Sequence, residues 1–546
     1  MIRFKNGALD LVAIGRENLR NVHRNYPKPI LYEEIINKRE GQISNRGPIV
    51  VRTGHFKERT YEDRFIVKEP LGEAKVHWSE KVQPISEEHY NLLLYRLLAY
   101  MQNKEVYVQN CLTCPGTPYE TPIRIITERA WHSLFARNMY MPILNQKDPQ
   151  SFNPSFSVIH IPGFHAIPEM DGTRSNSFII IHMTHKVAII AGTCYAGDMR
   201  QAVFTMLNYI LPHDKIFPMR CSSAMNKNGD VALFFGRENT GKTTLAIDSE
   251  LVFIGDSAHG WTNEGIFNYE AGCYARVLNV SSEHEVELFE LTRQFGTVLE
   301  NVTINPETRR IDRTDASLTD NTRAAFSNQR LSHVAPKQIQ PHPKHIFLVT
   351  CDAFGVLPPI ARLTHDQAVY GFLSSYSSEF KRTESGQIVP TFNVCFGESS
   401  LTFPPSVYAR QFSEKIKDHQ VTCWLLNTGW IGEPYGKTDR ISIDYSRTLV
   451  RAAISGQLNQ SGFEVDPVFQ FEIPLSCPNV PTQVLHPRQL AEDPGEYEVR
   501  ANRLAMEFMK DFSQFENEMP DHMRAVFSQI LHIDDQLNFE TLGFSM

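Results

Sequence analysis

One segment of the sequence has the residue types and the spacing needed to hold a phosphate group. Residues 236–244 read Gly-Arg-Glu-Asn-Thr-Gly-Lys-Thr-Thr, which fits the pattern G-x-x-x-x-G-K-[ST]. Glycines let backbone N–H groups curl around phosphate oxygens, and a helix that begins at the end of the loop adds its positive N-terminal end. The segment therefore predicts a nucleotide-binding P-loop.

The side chains of this loop have distinct expected roles. Lys242 can reach the β- and γ-phosphates, and the hydroxyl of Thr243 can ligate Mg²⁺. Asp256, after the next apolar run, is placed to complete the outer shell of that metal. We expect the nucleotide to contact Gly236, Asn239, Thr240, Gly241, Lys242, Thr243 and Thr244. The predicted cofactors are ATP and Mg²⁺.

The elements around the loop are those that a P-loop needs. The apolar run 231–235 predicts a strand before it, residues 244–248 continue as a helix, and 251–255 predict a second strand. Further strands are predicted at 345–349 and 422–426, and helices at 86–102 and 198–211. Alternating strands and helices indicate an α/β fold with a mixed sheet. A domain boundary is expected near residues 212–225.

Composition limits the class of partner and the compartment. The 546 residues carry 54 basic and 62 acidic side chains, a net charge of −8, which argues against a protein that coats nucleic acid or an anionic membrane. The most apolar stretch, 177–197, is interrupted by His182, His185 and Lys186, so it predicts buried strands rather than a membrane span. Nine dispersed cysteines are typical of a reducing compartment. We expect a cytoplasmic protein with neither a nucleic-acid nor a membrane partner.

Several further motifs resemble those of ATP-dependent phosphoenolpyruvate carboxykinases, in the same order along nearly the whole chain. They are Arg52-Thr-Gly-His-Phe56, residues 127–138 (TERAWHSLFARN), Tyr195-Ala-Gly-Asp-Met199, residues 295–301 (FGTVLEN), residues 352–359 (DAFGVLPP) and residues 427–430 (NTGW). The resemblance implies an α/β, two-lobed phosphoenolpyruvate carboxykinase-like fold with mixed sheets and the P-loop in the C-terminal lobe. We expect a substrate-side domain at 1–215 and a nucleotide-binding domain at 216–546.

The resemblance also implies a reaction and a set of residues. Enzymes of this family convert oxaloacetate and ATP to phosphoenolpyruvate, CO₂ and ADP, with Mg²⁺ on the nucleotide and a second metal, usually Mn²⁺, on the organic acid. By similarity, Arg59 grips a substrate carboxylate, and Tyr195 and Arg323 make further substrate contacts. Arg440 matches an arginine beside the nucleotide base.

The resemblance fails at the three positions that hold the second metal. The family has a lysine, a histidine and an aspartate there, whereas this chain has Gln201, Arg220 and Ser257. An amide and a hydroxyl are weak ligands for a transition metal, and arginine is never deprotonated in proteins. We therefore predict that Mn²⁺ does not bind at this second site. The alternative explanations are independent drift in a tolerant enzyme and a shift in the alignment of these positions with the family.

The P-loop itself also departs from the family, which has small residues where this chain has Glu238 and Asn239. One interpretation makes Glu238 a general base for an alcohol acceptor, and the other makes it an outward-pointing side chain compensated by Arg237. With Lys242 and Arg200, Glu238 completes the predicted catalytic set.

Three functions are compatible with these residues. The first is a repurposed kinase, a pseudo-carboxykinase in which Arg59, Arg200, Arg220 and Arg323 bind an unidentified anionic or hydroxyl acceptor, a small molecule or a protein. The second is a working ATP-dependent carboxykinase. The third is a non-catalytic ATP-binding sensor or scaffold. The sequence favours them in that order and predicts no oligomeric state.

Overall fold

The computed structural model describes residues 4–5, 8–9, 19–58, 61–69, 76–143, 152–380, 388–397 and 400–515. The chain divides into two compact units. The first unit comprises residues 1–224, 251–341 and 397–404, and the second comprises 225–250, 342–396 and 405–546. This division differs from the expected single boundary after residue 215, because two later segments of the chain return to the first unit.

The first unit is built on a nine-stranded mixed sheet. Eight of its strands follow the order Met141–Pro142, Glu105–Thr113, Thr121–Thr127, Phe156–Ile161, Val187–Ala191, Phe178–His182, Arg64–Val67 and Gln83–Ile85, and Asn21–Arg24 pairs with Glu105–Thr113. Its helices are Lys28–Asn37, Glu87–Tyr100, Ala130–Met139, Pro168–Asp171, Gly197–Ile210 and Val286–Leu291, with 3-10 turns at Tyr61–Asp63, Leu211–Asp214 and Asn328–Arg330.

Helices cover both faces of this sheet, which explains its apolar strands. Ile179 and Ile181 pack in one core with helices Ala130–Met139 and Gly197–Ile210. Phe178 and Ile180, which point to the opposite face, pack in a second core with helix Glu87–Tyr100. A strand buried on both faces needs a continuous apolar run rather than an alternating one.

Smaller sheets complete the first unit. A five-stranded sheet has the order Gly272–Arg276, Arg323–Ser327, Val298–Glu300, Ile49–Val51 and Gly41–Ile43. A four-stranded sheet has the order Phe217–Met219, His259–Trp261, Ile266–Asn268 and Ile339–Gln340. Cys221–Met225 pairs with Val252–Gly255, Thr303–Ile304 with Ile311–Asp312, and Phe4–Lys5 with Ala8–Leu9.

The second unit contains six neighbouring strands of one sheet and a hairpin. The order of the six is Val231–Gly236, Pro343–Thr350, Thr422–Asn427, Ile360–Leu363, Glu472–Pro474 and Phe463–Val465, and the hairpin pairs Ser374–Phe380 with Ile388–Val394. The helices are Lys242–Ala246, His365–Leu373, Pro405–Asp418, Ile443–Ile454, Gln457–Gln460, Thr482–Leu485, Pro487–Leu490 and Pro494–Ser513. The first three strands are parallel to one another.

The structure confirms the mixed α/β class and the elements around the P-loop. The helix predicted at 86–102 extends over Glu87–Tyr100, where the Ser86 hydroxyl accepts a hydrogen bond from the amide of His89 at its N-terminus. The helix predicted at 198–211 extends over Gly197–Ile210. Within the described ranges, no helix has the length and apolar character needed to cross a membrane.

Candidate functional site

Three sequence motifs lie side by side at the carboxyl ends of parallel strands in the sheet of the second unit. The P-loop follows strand Val231–Gly236, the DAFG segment follows Pro343–Thr350, and the NTGW segment begins in Thr422–Asn427. Because the three strands are parallel neighbours, their carboxyl ends lie side by side. Ligands of open α/β sheets bind at such carboxyl ends. The topology therefore brings together three motifs that lie between residues 236 and 430 of the chain.

The P-loop has the backbone geometry that its glycines predict. A Cβ atom on Gly236 would lie 2.6 Å from Thr240 Oγ1 and 2.7 Å from the carbonyl oxygen of Val349, so only glycine fits there. Gly241, immediately before helix Lys242–Ala246, has φ +90°, and Asn239 has φ +68°. The chain thus turns sharply into the helix, and the first amides of that helix point toward the loop.

Side chains of the loop and its neighbours hold this conformation. Lys242 Nζ donates to the carbonyl oxygen of Arg237 at 2.6 Å, and the Thr240 hydroxyl donates to the same oxygen at 2.9 Å. Thr428 Oγ1 donates to the carbonyl oxygen of Thr240 at 2.9 Å. Arg440 Nη2 donates to the carbonyl oxygen of Asn239 at 3.3 Å and to Thr428 Oγ1 at 2.9 Å. Arg440 therefore braces the loop, a role in addition to the predicted contact with the nucleotide base.

The loop residues fit a magnesium-bound nucleotide. Lys242, Thr243 and Thr244 are half-buried at the start of the helix, and Glu238 and Asn239 are exposed. The loop thus combines a cation, a hydroxyl and backbone N–H donors, the groups that polyphosphate and Mg²⁺ need. The guanidinium of Arg237 donates to the Thr391 hydroxyl.

A buried ion cluster forms around Arg200 in the first unit. Arg200 Nε donates to Glu270 Oε1 at 2.6 Å, and Nη2 donates to Asp256 Oδ2 at 3.1 Å. Asp256 Oδ1 also accepts from Ser222 Oγ at 3.1 Å. Arg200 is 6% exposed, and the two carboxylates raise the pKa of its guanidinium further above its ordinary value, against the burial that opposes the charge. The sequence predicted Arg200 as a catalytic, acceptor-binding arginine, and its Nε and Nη2 donate to carboxylates of the same chain.

The same cluster bears on Asp256, which the sequence predicted as a metal-associated carboxylate. Asp256 lies in the first unit and Thr243 in the second. Asp256 is 1% exposed and accepts hydrogen bonds from Arg200 and Ser222. A charge-neutralising guanidinium therefore already accompanies this carboxylate.

Gln201, Arg220 and Ser257, where the sequence analysis expects the second-metal ligands of the family, carry an amide, a guanidinium and a hydroxyl. Gln201 is 3% exposed, and its amide Nε2 donates to the hydroxyl of Ser400. Arg220 and Ser257 are half-buried. A primary amide, a guanidinium and a hydroxyl do not form a donor set for Mn²⁺, and the guanidinium adds a like charge. These residues do not fit the second metal of the family.

The structure brings two predicted substrate residues into one network. Asn321 Nδ2 donates to the hydroxyl oxygen of Tyr195 at 3.4 Å, and Arg323 Nε donates to Asn321 Oδ1 at 2.8 Å. The guanidinium carbon of Arg323 lies 5.5 Å from the ring centre of Tyr274. Arg59, the third predicted substrate residue, lies outside the described residues.

Glu300 belongs to this network, although the sequence did not indicate it as a site residue. It accepts hydrogen bonds from the hydroxyl of Tyr274 and, at 3.1 Å, from the amide of Ala196, next to Tyr195. Burial raises the pKa of Glu300 to about 7. The one sequence signal for Glu300 was its place in the motif FGTVLEN, which is shared with the family. The sequence alone does not show which residues such a carboxylate contacts, because its partners come from other strands. Glu270 was also missed, because it lies between strands Ile266–Asn268 and Gly272–Arg276 and its partner Arg200 is seventy residues away.

Because the pKa of Glu300 is raised, the free energy of unfolding should depend on pH, and one substitution at this residue should remove that dependence. An unfolded chain releases the Glu300 proton near pH 4.5, whereas the folded chain keeps it until about pH 7. The free energy of unfolding should therefore fall as the pH rises from 4.5 to 7, by about 3 kcal/mol from this group. Glu300→Gln can still accept from Ala196 through its oxygen and can donate from its amide nitrogen to the Tyr274 oxygen, and it should remove that part of the fall, as measured by urea denaturation. The exposed Glu307→Gln is the matched control, and identical pH profiles of both variants would contradict the prediction.

Comparison with known proteins supports what the motifs indicate. A family model described as phosphoenolpyruvate carboxykinase matches residues 20–483. "Phosphoenolpyruvate carboxykinase (ATP)" of Pelobacter propionicus is 45% identical over 505 residues, which cover 92% of this chain and 95% of the relative. The protein of the same name from Geotalea uraniireducens is 44% identical over 92% and 95% of the two chains, and that from Thermus thermophilus is 41% identical over 92% and 96%. These matches confirm the resemblance: the chain belongs to the ATP-dependent phosphoenolpyruvate carboxykinase family.

Proposed function

We propose that the protein is a working ATP-dependent carboxykinase that converts oxaloacetate and ATP to phosphoenolpyruvate, CO₂ and ADP. The observation that carries this proposal is the P-loop, with Lys242 and Thr243 at the start of its helix, in a chain 45% identical to a relative named for that activity. The proposal reverses the order favoured by the sequence alone, in which a repurposed kinase came first. The similarity to carboxykinases extends over nearly the whole chain. It therefore counts for more than the three differences at Gln201, Arg220 and Ser257.

The P-loop residues would hold the nucleotide. The backbone amides of the loop would bind phosphate oxygens, and Lys242 would leave the carbonyl oxygen of Arg237 to contact the β- and γ-phosphates. Thr243 would hold Mg²⁺, which supplies charge neutralisation on the phosphates when bound. Gly236, Asn239, Thr240, Gly241 and Thr244 complete the proposed contacts, and Arg440 would keep the loop in shape while lying beside the base.

The substrate side would be held by cations and a phenol. Arg59 and Arg323 would bind the carboxylates of the organic acid, since a planar guanidinium binds a carboxylate through two parallel hydrogen bonds. Tyr195, which Asn321 holds at its hydroxyl, would donate a further hydrogen bond. We propose that Arg200 acts by keeping the Asp256 and Glu270 carboxylates in place, rather than by binding the acceptor.

The enolate that forms on loss of CO₂ needs a nearby positive charge. In this chain Gln201, Arg220 and Ser257 stand where the family holds its second metal, so we propose that the guanidinium of Arg220 supplies that charge. A fixed cation differs from a metal ion because it cannot be removed by a chelator. The proposed enzyme therefore depends on Mg²⁺ through the nucleotide and is indifferent to Mn²⁺.

This metal dependence is the test of the proposal. We expect a coupled assay with oxaloacetate and MgATP to show turnover that 1 mM MnCl₂ changes by less than about twofold. In the triple variant Gln201→Lys, Arg220→His, Ser257→Asp, which restores the family's ligands, MnCl₂ should raise kcat by about a hundredfold, the usual effect of a positioned charge stabiliser. Strong Mn²⁺ activation of the unaltered protein would contradict the role of Arg220, and no turnover under any condition would contradict the carboxykinase proposal.

A second candidate function is phosphoryl transfer to another acceptor. It is favoured by the exposed Glu238 on the P-loop and by Arg220 where the family has a metal-binding histidine. Glu238 would then accept the proton of an acceptor hydroxyl. If oxaloacetate is not converted while the γ-phosphate of ATP is transferred to other hydroxyl or carboxylate compounds, this function replaces the first. Binding of ATP without any transfer would instead favour the sensor.

A further inference from the structure

We propose that His132 and His160 are positioning residues of the substrate site, which hold the backbone in front of Tyr195 and so fix the direction of its side chain. The inference rests on the proposed function, in which Tyr195 contacts the organic acid. Nε2 of His132 lies 2.8 Å from the carbonyl oxygen of Cys194, and Nε2 of His160 lies 2.9 Å from that of Thr193. These carbonyls belong to the two peptide groups that precede Tyr195.

The fold brings both imidazoles to the segment that carries Tyr195. Strands Phe156–Ile161 and Val187–Ala191 are parallel neighbours, so their carboxyl ends lie side by side. His160 is the second-last residue of the first strand, and Tyr195 follows the second strand by four residues. His132 is the third residue of a helix that packs in one core with both strands. The two histidines are therefore attached to packed elements, whereas Tyr195 lies in a connection that needs support.

The hydrogen bonds define which nitrogen of each ring carries the proton. A carbonyl oxygen only accepts, so Nε2 must be the N–H donor in both rings. His132 and His160 are fully buried, and burial lowers the pKa of His132 well below its ordinary value and that of His160 to about 4. Each ring is therefore neutral at pH 7, with its one proton on Nε2 and a lone pair on Nδ1.

The peptide groups on both sides of Tyr195 are held at both of their ends. In the group before it, the carbonyl oxygen accepts from His132, and the N–H donates to Thr193 Oγ1 at 3.1 Å. In the group after it, the carbonyl oxygen accepts from the amide three residues later at 3.3 Å, and the N–H donates to Glu300 Oε1 at 3.1 Å. Because peptide groups are planar, these two planes set the backbone angles of Tyr195 and the direction of its Cβ atom. Asn321 then meets the hydroxyl at 3.4 Å.

Packing alone does not explain two imidazoles in this core. Within the described residues, neither Nδ1 of His132 nor Nδ1 of His160 has a hydrogen-bond partner. A buried polar atom without a partner costs free energy, and a leucine of similar volume would avoid that cost. The two rings also lie against each other, with 4.0 Å between their centres. What an apolar side chain cannot supply is the Nε2 donor to each carbonyl oxygen.

His132→Leu and His132→Gln test the role of this donor. Leucine fills the volume without a donor, whereas the amide nitrogen of glutamine can take the place of Nε2. We expect His132→Leu to lower kcat/KM for oxaloacetate by about ten- to a hundredfold, since a substrate contact displaced by about 1 Å has an effect of this size. The KM for MgATP should change by less than about twofold. His132→Gln should recover kcat/KM to within about threefold of the unaltered protein, and the same pair of substitutions at His160 should behave alike.

His23→Leu is the matched control. His23 is also a buried histidine of the first unit, on strand Asn21–Arg24, where its Nδ1 meets the hydroxyl of Tyr26 at 2.9 Å. This variant should keep kcat/KM for oxaloacetate within about twofold, even where its melting temperature falls. A loss of activity that His23→Leu shares, or that His132→Gln does not reverse, would overturn the proposal, because a general effect on the core would then explain it.

Crystal structures of the variants keep this inference separate from the proposed function. In His132→Leu we expect the hydroxyl of Tyr195 to move by at least about 1 Å, and in His132→Gln we expect it to stay in place. An unmoved Tyr195 in His132→Leu would overturn the proposal, whatever the activity of the variant. If the unaltered protein does not convert oxaloacetate, the carboxykinase proposal fails, and the position of Tyr195 in the two variants still decides the role of His132.

Discussion

Lys242→Ala is expected to lower ATP-dependent phosphoryl transfer by about a hundred- to a thousandfold in kcat. The ammonium group is the cation of the P-loop, and its removal takes away a fixed positive charge beside the β–γ bridging oxygen, which gains negative charge as the phosphoryl group passes from ADP to the acceptor. The fold should remain intact, since Lys242 is half-buried and its ammonium group contacts a carbonyl oxygen of the same loop. The measurement is the rate of ADP formation with oxaloacetate at saturating MgATP.

Lys227→Ala is the matched control, because Lys227 is an exposed lysine that precedes the same strand. It should keep the unaltered rate and the unaltered thermal stabilisation by MgATP. If Lys242→Ala retained most of its activity, the P-loop would not be the phosphoryl-transfer site. If its rate and its melting temperature without nucleotide both fell, the lysine would be acting on the fold instead.

Arg200→Met is expected to destabilise the first unit by about 3–5 kcal/mol at pH 8. The substitution removes the guanidinium that pairs with the buried carboxylates of Asp256 and Glu270, and breaking a buried ion pair by removing one partner costs this much. Urea denaturation followed by hydrogen exchange of peptides from residues 217–225 and 252–270 measures the effect on this unit.

Two further variants distinguish the cluster from simple loss of packing. Arg200→Met combined with Glu270→Gln removes one of the two stranded charges, so it should be more stable than Arg200→Met alone. Arg276→Met, which removes an arginine that pairs with Asp320 at a more exposed place, should cost less than about 1 kcal/mol. Equal stability of the single and the double variant would show that the carboxylates are not the cause.

The local elements of the site were predictable because each depends on neighbouring residues. Gly236, Gly241 and Lys242 identify a P-loop through the backbone angles and the charge that a phosphate needs, and the structure has the expected strand, turn and helix. The helix Glu87–Tyr100 and its Ser86 cap follow from residues within one turn of each other. The family itself was also recognisable from ordered motifs, and the comparisons confirm it.

Interactions between distant residues were not predictable in this way. The sequence assigned Arg200 to an acceptor, yet Glu270 and Asp256, more than fifty residues away, engage its guanidinium. The raised pKa of Glu300 has a similar origin, because it depends on burial between strands that come from different parts of the chain.

The sequence by itself determined the α/β class, the phosphate loop and the family. Only the tertiary structure decided that Arg440 braces the loop, that Arg200 is held by carboxylates, and that Glu300 accepts a hydrogen bond from Tyr274. The physical reason is the distance along the chain between the interacting residues. Backbone angles and helix caps are set by neighbouring residues, whereas pairing of charges and side-chain hydrogen bonds between distant residues form only after strands and helices have packed.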